Sequence, residues 1–200
     1  MKILELFSGT ESFSKVAREL GHETFTVDND PKFNPDLCID IMDLNINMIP
    51  FKPDIIWASP PCQCFSVASI STHWTGGLKA YIPKTKKAKQ SIKLIEKTIS
   101  LIEELKPTFW YIENPRGVLR KIKPLNKINP ITITYCQYGD IRMKPTDIWT
   151  NSKWTGAKCK NGDSCHIAAP RGSKTGTQGL KNSRERSIVP RELCMEILTR

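Results

Sequence analysis

The first 150 residues alternate between short apolar runs and longer segments in which apolar residues recur every three or four positions. The short runs predict buried β-strands, and the periodic segments predict helices that bury one face. The clearest helix spans Lys86 to Leu105 and ends before Pro107, and a second helix covers residues 12–20. The predicted strands occupy residues 2–7, 23–27, 37–41, 54–58, 109–112, 131–136 and 147–150.

This order of elements predicts an α/β fold with a doubly wound, mostly parallel sheet and helices on both faces. In such sheets the functional loops follow the carboxyl ends of the strands. Two stretches lack the pattern. Residues 67–89 contain five lysines and are predicted to form a mobile basic loop, while residues 152–186 are rich in Gly, Ser, Lys and Asn and predict an irregular segment.

Composition restricts the expected partners. The formal net charge is +10 and the pI is near 9.3, which favours a polyanion such as nucleic acid, although some basic proteins bind none. Seven cysteines at irregular spacing are not typical of a secreted disulfide framework. Without a signal-peptide pattern or a membrane-length apolar run, we expect a cytoplasmic protein of a bacterium or a phage-infected host, with no membrane partner.

The turn after the first predicted strand, Phe7-Ser8-Gly9-Thr10, is the first candidate site. An acidic residue, Asp28, follows the second strand 19 positions after Gly9. Glycine lets the backbone approach a ligand, and a carboxylate accepts hydrogen bonds from ribose hydroxyls, so the pair indicates a nucleoside site. A tight turn in any α/β protein explains the same residues equally well.

Cys62 stands on a proline-stiffened loop, Pro60-Pro61-Cys62, directly after the strand at 54–58. A thiolate at that edge of the sheet can attack an electron-poor carbon. A buried structural cysteine is the commoner alternative, and the spacing alone does not separate Cys62 from Cys64. Glu113, which follows the strand at 109–112, either protonates or hydrogen-bonds a ring nitrogen or belongs to an ordinary helix N-terminus.

Together these segments resemble the DNA (cytosine-5) methyltransferases. Residues 5–9 (Glu-Leu-Phe-Ser-Gly) are similar to the family's first motif, residues 60–66 to its catalytic loop, and Glu113-Asn114 to its glutamate motif. The similarity covers residues 2–150 and resumes over 186–198, which resemble a closing helix. It implies a Rossmann-like methyltransferase that uses S-adenosylmethionine, and it favours Cys62 over Cys64 as the nucleophile.

The resemblance also implies a mechanism and a set of ligand contacts. Cys62 attacks cytosine C6, Glu113 protonates or hydrogen-bonds N3, and C5 takes the methyl group, with S-adenosylhomocysteine as product. The target base of duplex DNA is flipped into the pocket. The basic loop, with Lys84, Lys86 and Lys87, is expected to close over the DNA backbone. The implied cofactor-binding residues are Phe7 and Gly9 (methionine), Thr10, Asp28 (ribose), Asp40 and Ile41 (adenine), and Pro60.

The chain departs from the family pattern in two places. Arg142-Met143-Lys144 replaces a Gln-x-Arg-x-Arg motif, and Arg142, with Lys144 as a second candidate, is assigned a contact with cytosine O2 or a phosphate. The expected division is a catalytic domain at 1–150, a short insert at 151–185 in place of the target-recognition region, and a closing helix at 186–200. So short an insert predicts weak sequence specificity or a separate specificity protein.

Cys136, Cys159, Cys165 and His166 carry the side-chain types of a four-ligand zinc site. Their spacing fits no common zinc pattern, so no metal ligand is assigned. Two other functions stay open beside DNA methylation. One is the same chemistry on RNA or on a free cytosine nucleotide, and the other is a nucleic-acid-binding protein that has lost turnover, against which the presence of Cys62 and Glu113 argues.

Overall fold

A computed structural model describes residues 1–167 and 182–200 of the chain. Seven strands form the main sheet, and two further strands form a separate hairpin. The main-sheet strands are β1 (Lys2–Leu6), β2 (Glu23–Asp28), β3 (Leu37–Cys38), β4 (Ile55–Ala58), β7 (Phe109–Pro115), β8 (Ile131–Thr134) and β9 (Pro145–Thr150), and the hairpin strands are β5 (Trp74–Thr75) and β6 (Ile82–Pro83). The α-helices are α1 (Ser12–Glu19), α2 (Ile70–His73), α3 (Gly77–Ala80), α4 (Lys86–Leu105), α5 (Ser183–Ser187) and α6 (Arg191–Leu198).

The strand order in the main sheet is β3-β2-β1-β4-β7-β9-β8. The first five strands in this order are parallel, and β9 runs antiparallel to both β7 and β8. This topology confirms the predicted doubly wound, mostly parallel sheet. Since β1, β4 and β7 are neighbours, the loops that follow them meet at one edge of the sheet.

Alternating side chains along the central strands build two apolar cores, one on each face of the sheet. Ile55 and Trp57 of β4 belong to the core that includes α1 and α6, whereas Ile56 and Ala58 belong to the core that includes α4. All four residues of β4 are buried, as is typical of a parallel strand covered on both faces. The prediction of helices on both faces is therefore confirmed.

α1 is capped from the neighbouring strand rather than from its own N-terminal residue. No local side chain caps the helix, but the buried Glu5 carboxylate accepts hydrogen bonds from the backbone N–H groups of Phe13 (3.3 Å) and Ser14 (2.8 Å). Burial raises the pKa of Glu5 to about 7 even though these bonds act to lower it. Glu5 thus ties β1 to the start of α1, on either side of the turn at Phe7.

The C-terminal helix packs back on the first helix. Leu193 and Ile197 of α6 share a core with Phe13 of α1, and the backbone N–H of Val189 donates to Ser12 Oγ at 3.2 Å. The last residues of the chain therefore complete the same layer as the first helix.

α4 begins and ends where the sequence predicts. Thr85 accepts a hydrogen bond from the backbone N–H of Ala88 at 3.1 Å and so caps the N-terminus. Lys106 adopts a left-handed conformation (φ 47°) that ends the helix before Pro107. The periodic isoleucines place Ile95 and Ile102 in the core.

The prediction of a loop without secondary structure at residues 67–89 is wrong. This stretch contains α2, α3, the β5-β6 hairpin and the start of α4. It is held down by Trp74, which is 4% exposed and donates from Nε1 to the Cys64 carbonyl at 2.6 Å. Lys84, Lys86, Lys87 and Lys89 are exposed, while the buried Trp74 anchors the segment, with Ile70 and Tyr81 also packed against the core. Isolated anchors of this kind leave no periodicity in the sequence.

The predicted insert is described up to residue 167, and residues 168–181 lie outside the described residues. Its first part follows the edge of the sheet: Thr134 N–H donates to the Ala157 carbonyl at 3.2 Å, and Ala157 N–H donates to Tyr138 Oη at 2.8 Å. Trp154 is 2% exposed and packs in the core shared by α1 and α6. Within the described part of the chain, no helix combines the length and apolarity needed to cross a membrane.

Candidate active site

Two of the predicted reactive groups meet where β4 and β7 end. Cys62 follows β4, and Glu113 lies in β7 immediately after the residue paired with the last residue of β4. Asn114 joins the two elements, because its Nδ2 donates to the Pro60 carbonyl at 2.9 Å in a buried position. This bond fixes the proline-rich loop against the end of β7, and with it the position of Cys62 relative to Glu113.

A second contact holds the far side of the same loop. Val118 N–H donates to the Phe65 carbonyl at 2.8 Å, and Ser66 forms a bridge with Gly117. A Cβ at Gly117 would lie 2.1 Å from the Phe65 carbonyl oxygen, so only glycine permits this approach. The loop that carries Cys62 is therefore clamped at both ends to the segment that follows Glu113.

The Cys62 thiol lies in a mostly buried, charged environment. Burial raises the pKa of Cys62, and the nearby Glu113 carboxylate raises it further. Lys144 and Arg186 act in the opposite direction, since positive charge favours the thiolate. These influences show that one carboxylate and two cations lie close enough to Cys62 to affect its ionisation.

Glu113 is held by two partners. Its side chain is nearly buried, accepts a hydrogen bond from Tyr135 Oη at 2.9 Å on Oε1, and has Lys144 Nζ at 4.0 Å from the same oxygen. Burial and the Glu113 charge raise the pKa of Tyr135 well above its usual value, so Tyr135 remains a proton donor. Both contacts engage Oε1 and so leave Oε2 for a ligand.

Lys144 occupies the centre of the site. It is 5% exposed, and its Nζ donates to the Arg186 carbonyl at 2.9 Å and lies 4.1 Å from the centre of the Tyr135 ring. Burial lowers the pKa of Lys144, while Glu113 and Cys62 act to raise it. The sequence marked Lys144 only as a second candidate beside Arg142, and nothing in its spacing indicated the contact with Glu113.

Arg142, which the sequence analysis assigns to a contact with cytosine O2 or a phosphate, is paired with Asp140. Its guanidinium forms an ion pair and several hydrogen bonds with Asp140, and NH1 lies 3.5 Å from the Glu185 carbonyl. Burial acts to raise the pKa of Asp140, but the Arg142 contacts outweigh it and lower that pKa. Lys144 therefore faces Cys62 and Glu113, whereas Arg142 is paired with Asp140 in the loop between β8 and β9. The contact of Arg142 with cytosine O2 or a phosphate stays a prediction.

A cavity of about 120 Å³ opens at the ends of β1 and β2. Four residues of the predicted cofactor set line it, while Gly9, Thr10 and Pro60 do not belong to its described lining. Pro61, beside the catalytic loop, also lines it, as do side chains that the sequence did not mark, including Gln90 and Leu94 of α4. The lining residues are Phe7, Val27, Asp28, Asn29, Ile39, Asp40, Ile41, Pro61, Gln90 and Leu94.

The turn beside this cavity has the features of a ligand-binding loop. Phe7 adopts φ 57°, a left-handed conformation that is rare for a bulky residue and clusters at functional sites. Asp28 accepts hydrogen bonds from the backbone N–H groups of Gly9 and Asp30, both at 2.9 Å. Ser8 Oγ is buried and has no hydrogen-bond partner among the described residues. The carboxylates and apolar side chains that line the cavity fit an adenosine-containing ligand.

No metal ligand is assigned from the sequence, because the spacing of the cysteines and the histidine fits no common zinc pattern. The side chains of Cys136, Cys159, Cys165 and His166 come together, with their potential ligand atoms all within 4.8 Å of one another. Cys136 reaches the others from a different part of the chain, which a spacing rule for local motifs does not detect.

Comparison with known proteins identifies the family. The sequence profile of the C-5 cytosine-specific DNA methylases matches residues 1–139. A protein of Frog virus 3 (isolate Goorha), named "Probable DNA (cytosine-5)-methyltransferase", is 29% identical over an alignment of 217 positions that covers 99% of each chain.

Solved structures of methyltransferases share the fold. A protein from E. coli, described as a "putative DNA modification methyltransferase encoded within prophage", has a TM-score of 0.55 at 20% identity over 75% of this chain and 46% of its own. A triple mutant of Spodoptera frugiperda DNMT2 has a TM-score of 0.53 at 20% identity over 81% and 56% of the two chains, and S. pombe Dnmt2 methyltransferase has 0.52 at 15% over 78% and 52%. The chain spans about half the length of these three. With the profile match over more than two thirds of its residues, the chain belongs to the C-5 cytosine-specific DNA methylases, a family of cytosine-5 methyltransferases.

Proposed function

We propose that this chain methylates carbon 5 of cytosine in DNA, with S-adenosylmethionine as methyl donor and a transient bond between Cys62 Sγ and cytosine C6. One observation carries the proposal. Cys62 and Glu113 stand on neighbouring strand ends joined by the Asn114–Pro60 hydrogen bond, and a cavity with nucleoside-binding features borders the same loop at Pro61.

The role proposed for Cys62 follows from the weak reactivity of cytosine C5. Addition of the Cys62 thiolate to C6 forms a C–S bond and pushes the ring electrons toward C5, which then behaves as an enamine carbon. Lys144 and Arg186 favour the thiolate that this addition needs. After C5 has gained its methyl group, loss of the C5 proton to a base returns the electrons to the ring and expels the thiolate.

Glu113 is proposed to stabilise the charge that appears on cytosine N3 during the addition. A carboxyl group can protonate or hydrogen-bond a ring nitrogen within reach of one hydrogen bond. Tyr135 and Lys144 both engage Oε1, so the carboxyl plane is fixed and Oε2 faces the ligand. Tyr135 is therefore a positioning residue for Glu113.

The cofactor cavity is assigned to S-adenosylmethionine, which supplies an electrophilic methyl group when bound. Asp28, oriented by Gly9 and Asp30, is proposed to accept the ribose hydroxyls. Asp40 and Ile41 of the lining are proposed to flank the adenine. Phe7, which lines the cavity, is assigned to the methionine end, as the resemblance to the family implies.

The division of the chain into parts is also proposed. Residues 1–150 supply the sheet and the reactive groups. Residues 186–200 complete this unit, because the Arg186 carbonyl accepts a hydrogen bond from Lys144 Nζ and α6 packs on α1. The short insert between them leaves little surface for reading base edges. Weak sequence specificity, or a separate specificity protein, is therefore expected.

A nucleic acid is the proposed substrate because the net charge is +10 and exposed lysines border the catalytic loop. DNA is preferred over RNA because the matching family and the viral relative are named for DNA. Lys87 Nζ donates to Gln63 Oε1, directly beside Cys62, and Lys84 and Lys86 are exposed nearby. Phosphate binding by such lysines is strongly salt-dependent. The base has to leave the stack to reach Cys62, so base flipping belongs to the proposal.

Methyl transfer from radiolabelled S-adenosylmethionine tests this function. Duplex DNA, RNA and dCMP are offered separately to the wild type, Cys62→Ala and Cys64→Ala. We expect label in DNA with the wild type and Cys64→Ala, and none with Cys62→Ala, whose cofactor affinity stays nearly unchanged. Label only in RNA or dCMP contradicts the substrate, and residual transfer by Cys62→Ala contradicts the nucleophile. Salt-dependent DNA binding without transfer to any substrate would identify a silent binding protein.

A further inference from the structure

Three cysteines and a histidine form a cluster away from the reactive groups. Cys136 lies in the 3₁₀ turn Tyr135–Tyr138 after β8, and Cys159, Cys165 and His166 lie in the insert. Cys136 and Cys159 are buried, whereas Cys165 is exposed and His166 is half-buried. All four ligand atoms lie within 4.8 Å of one another, so the cluster joins two segments that are far apart in sequence.

Four of the six separations between these ligand atoms are those of a tetrahedral zinc site, and the other two are at most 4.8 Å. The Cys136 and Cys159 sulfurs are 3.3 Å apart, and Cys165 Sγ lies 3.7 Å from Cys136 Sγ. His166 Nδ1 lies 3.7 Å from Cys159 Sγ and 3.5 Å from Cys165 Sγ. A tetrahedral zinc ion, with bonds of about 2.3 Å to sulfur and about 2.0 Å to nitrogen, sets ligand separations of about 3.8 and 3.5 Å. The four measured edges agree with these to about 0.5 Å.

A tight turn brings the insert ligands together. Lys160 N–H donates to Asp163 Oδ2 at 2.7 Å, and Gly162 adopts φ 97°, so the chain reverses between Cys159 and Cys165. Cys159 is fixed in turn by its backbone N–H, which donates to Thr134 Oγ1 at 2.9 Å. Hydrogen bonds of the protein itself therefore hold the backbone in the shape that the four side chains need.

A disulfide does not explain the cluster. An S–S bond is about 2.0 Å long, whereas the three cysteines of the cluster are free and the Cys136 and Cys159 sulfurs are 3.3 Å apart. A disulfide also uses only two cysteines and gives no reason for Cys165 and His166 to converge on them. Three soft sulfur ligands with one imidazole are a typical zinc set.

We propose that Cys136, Cys159, Cys165 and His166 bind one zinc ion in a closed, structural Cys₃His site. Four protein ligands leave no open coordination position, so the ion stabilises the fold and does not take part in the chemistry. This inference goes beyond the proposed methyl transfer and does not depend on it.

The position of the site suggests what the metal stabilises. In the described part of the insert, Trp154 and Cys159 are the buried side chains of the apolar class, too few to order the segment by burial alone. The zinc would tie the insert to Cys136, whose neighbour Tyr135 donates to Glu113. The same ion therefore links the order of the insert to the residue that positions the carboxylate.

Metal analysis of the full-length chain, purified without chelator, tests the site. We expect one zinc ion per chain by plasma mass spectrometry in the wild type and in Cys38→Ser, a matched control at an exposed cysteine outside the cluster. Cys165→Ser and His166→Ala should lose most of the zinc. His166→Cys should retain it, because four thiolates also bind zinc tetrahedrally.

A cobalt measurement on the wild type keeps the test independent of how well the variants fold. Replacing the metal with Co²⁺ should give the visible d–d bands of tetrahedral cobalt together with thiolate charge-transfer absorption. Wild-type protein that carries only background zinc and shows no such bands overturns the proposal. So does a non-reduced intact mass that reveals a disulfide within the cluster, or full zinc content in both Cys165→Ser and His166→Ala.

Discussion

Replacement of Tyr135 by phenylalanine isolates the contact that positions the proposed acid. The Tyr135 hydroxyl donates to Glu113 Oε1 at 2.9 Å, and its ring is fully buried. Tyr135→Phe keeps the ring and its packing in the core and removes only the oxygen. Glu113 then keeps Lys144 at 4.0 Å as its remaining partner on that oxygen.

The size of the effect follows from the kind of bond that is lost. A hydrogen bond to a charged group contributes about 1.5–3 kcal/mol. If that energy serves to hold Glu113 against N3 in the transition state, its loss lowers kcat roughly 10- to 150-fold, at about 1.4 kcal/mol per factor of ten. The KM values for DNA and S-adenosylmethionine should change little, because Tyr135 does not line the cofactor cavity.

Steady-state methyl-transfer assays measure whether kcat falls while KM stays unchanged. Tyr138→Phe is the matched control. Tyr138 lies on the same 3₁₀ turn and is buried. Its substitution by phenylalanine removes a hydrogen bond of similar length, in which Tyr138 Oη accepts from Ala157 N–H at 2.8 Å. We expect similar stability in the two variants, with kcat lowered only in Tyr135→Phe. Equal kcat values for the two variants would refute the positioning role of Tyr135.

Three further predictions concern the pH profile, the cofactor and the sheet. Because burial raises the pKa of Cys62, kcat/KM of the wild type should rise by about tenfold per pH unit below that pKa. Lys144→Met removes a positive charge that lowers the pKa of Cys62, so the pH profile of kcat/KM should move to higher pH. An unchanged profile would contradict an effect of Lys144 on Cys62. Asp28→Ala should weaken S-adenosylmethionine binding at least about tenfold by calorimetry, whereas unchanged affinity would remove Asp28 from the site. Arg120→Met leaves the fully buried Asp147 without its ion pair and should cost about 3–5 kcal/mol of unfolding free energy in urea; a loss below about 1 kcal/mol would contradict a structural role for the pair.

Local patterns were sufficient to predict most of the fold. The isoleucine period and Pro107 predict the extent of α4 and its end, because helix period and stop signals are encoded within a few residues. Apolar runs located the seven main-sheet strands to within a few residues, although β3 is shorter than predicted and covers only Leu37–Cys38. The antiparallel direction of β9 was beyond such patterns, since direction depends on the path of the connecting chain.

Contacts between distant segments were the part that the sequence did not predict. Tyr135 and Lys144 reach Glu113 from the two ends of the β8–β9 connection. Nothing in the local sequence distinguishes these two residues from an ordinary surface tyrosine and lysine. Arg142 was assigned for its basic character at the position of a family motif, and its ion pair with Asp140 was not predicted. The cysteine cluster likewise depends on Cys136 approaching the insert across the edge of the sheet.

Covalent trapping on duplex DNA that contains 5-fluorocytosine tests the central claim most directly. Fluorine at C5 cannot leave as a proton does, so the bond between the enzyme and C6 persists after methyl transfer. With S-adenosylmethionine present, we predict a denaturant-resistant complex for the wild type and Cys64→Ala, with peptide mapping of the linkage to Cys62, and no complex for Cys62→Ala. A protein that methylates ordinary DNA yet forms no trapped complex, or one linked through another residue, would contradict the account.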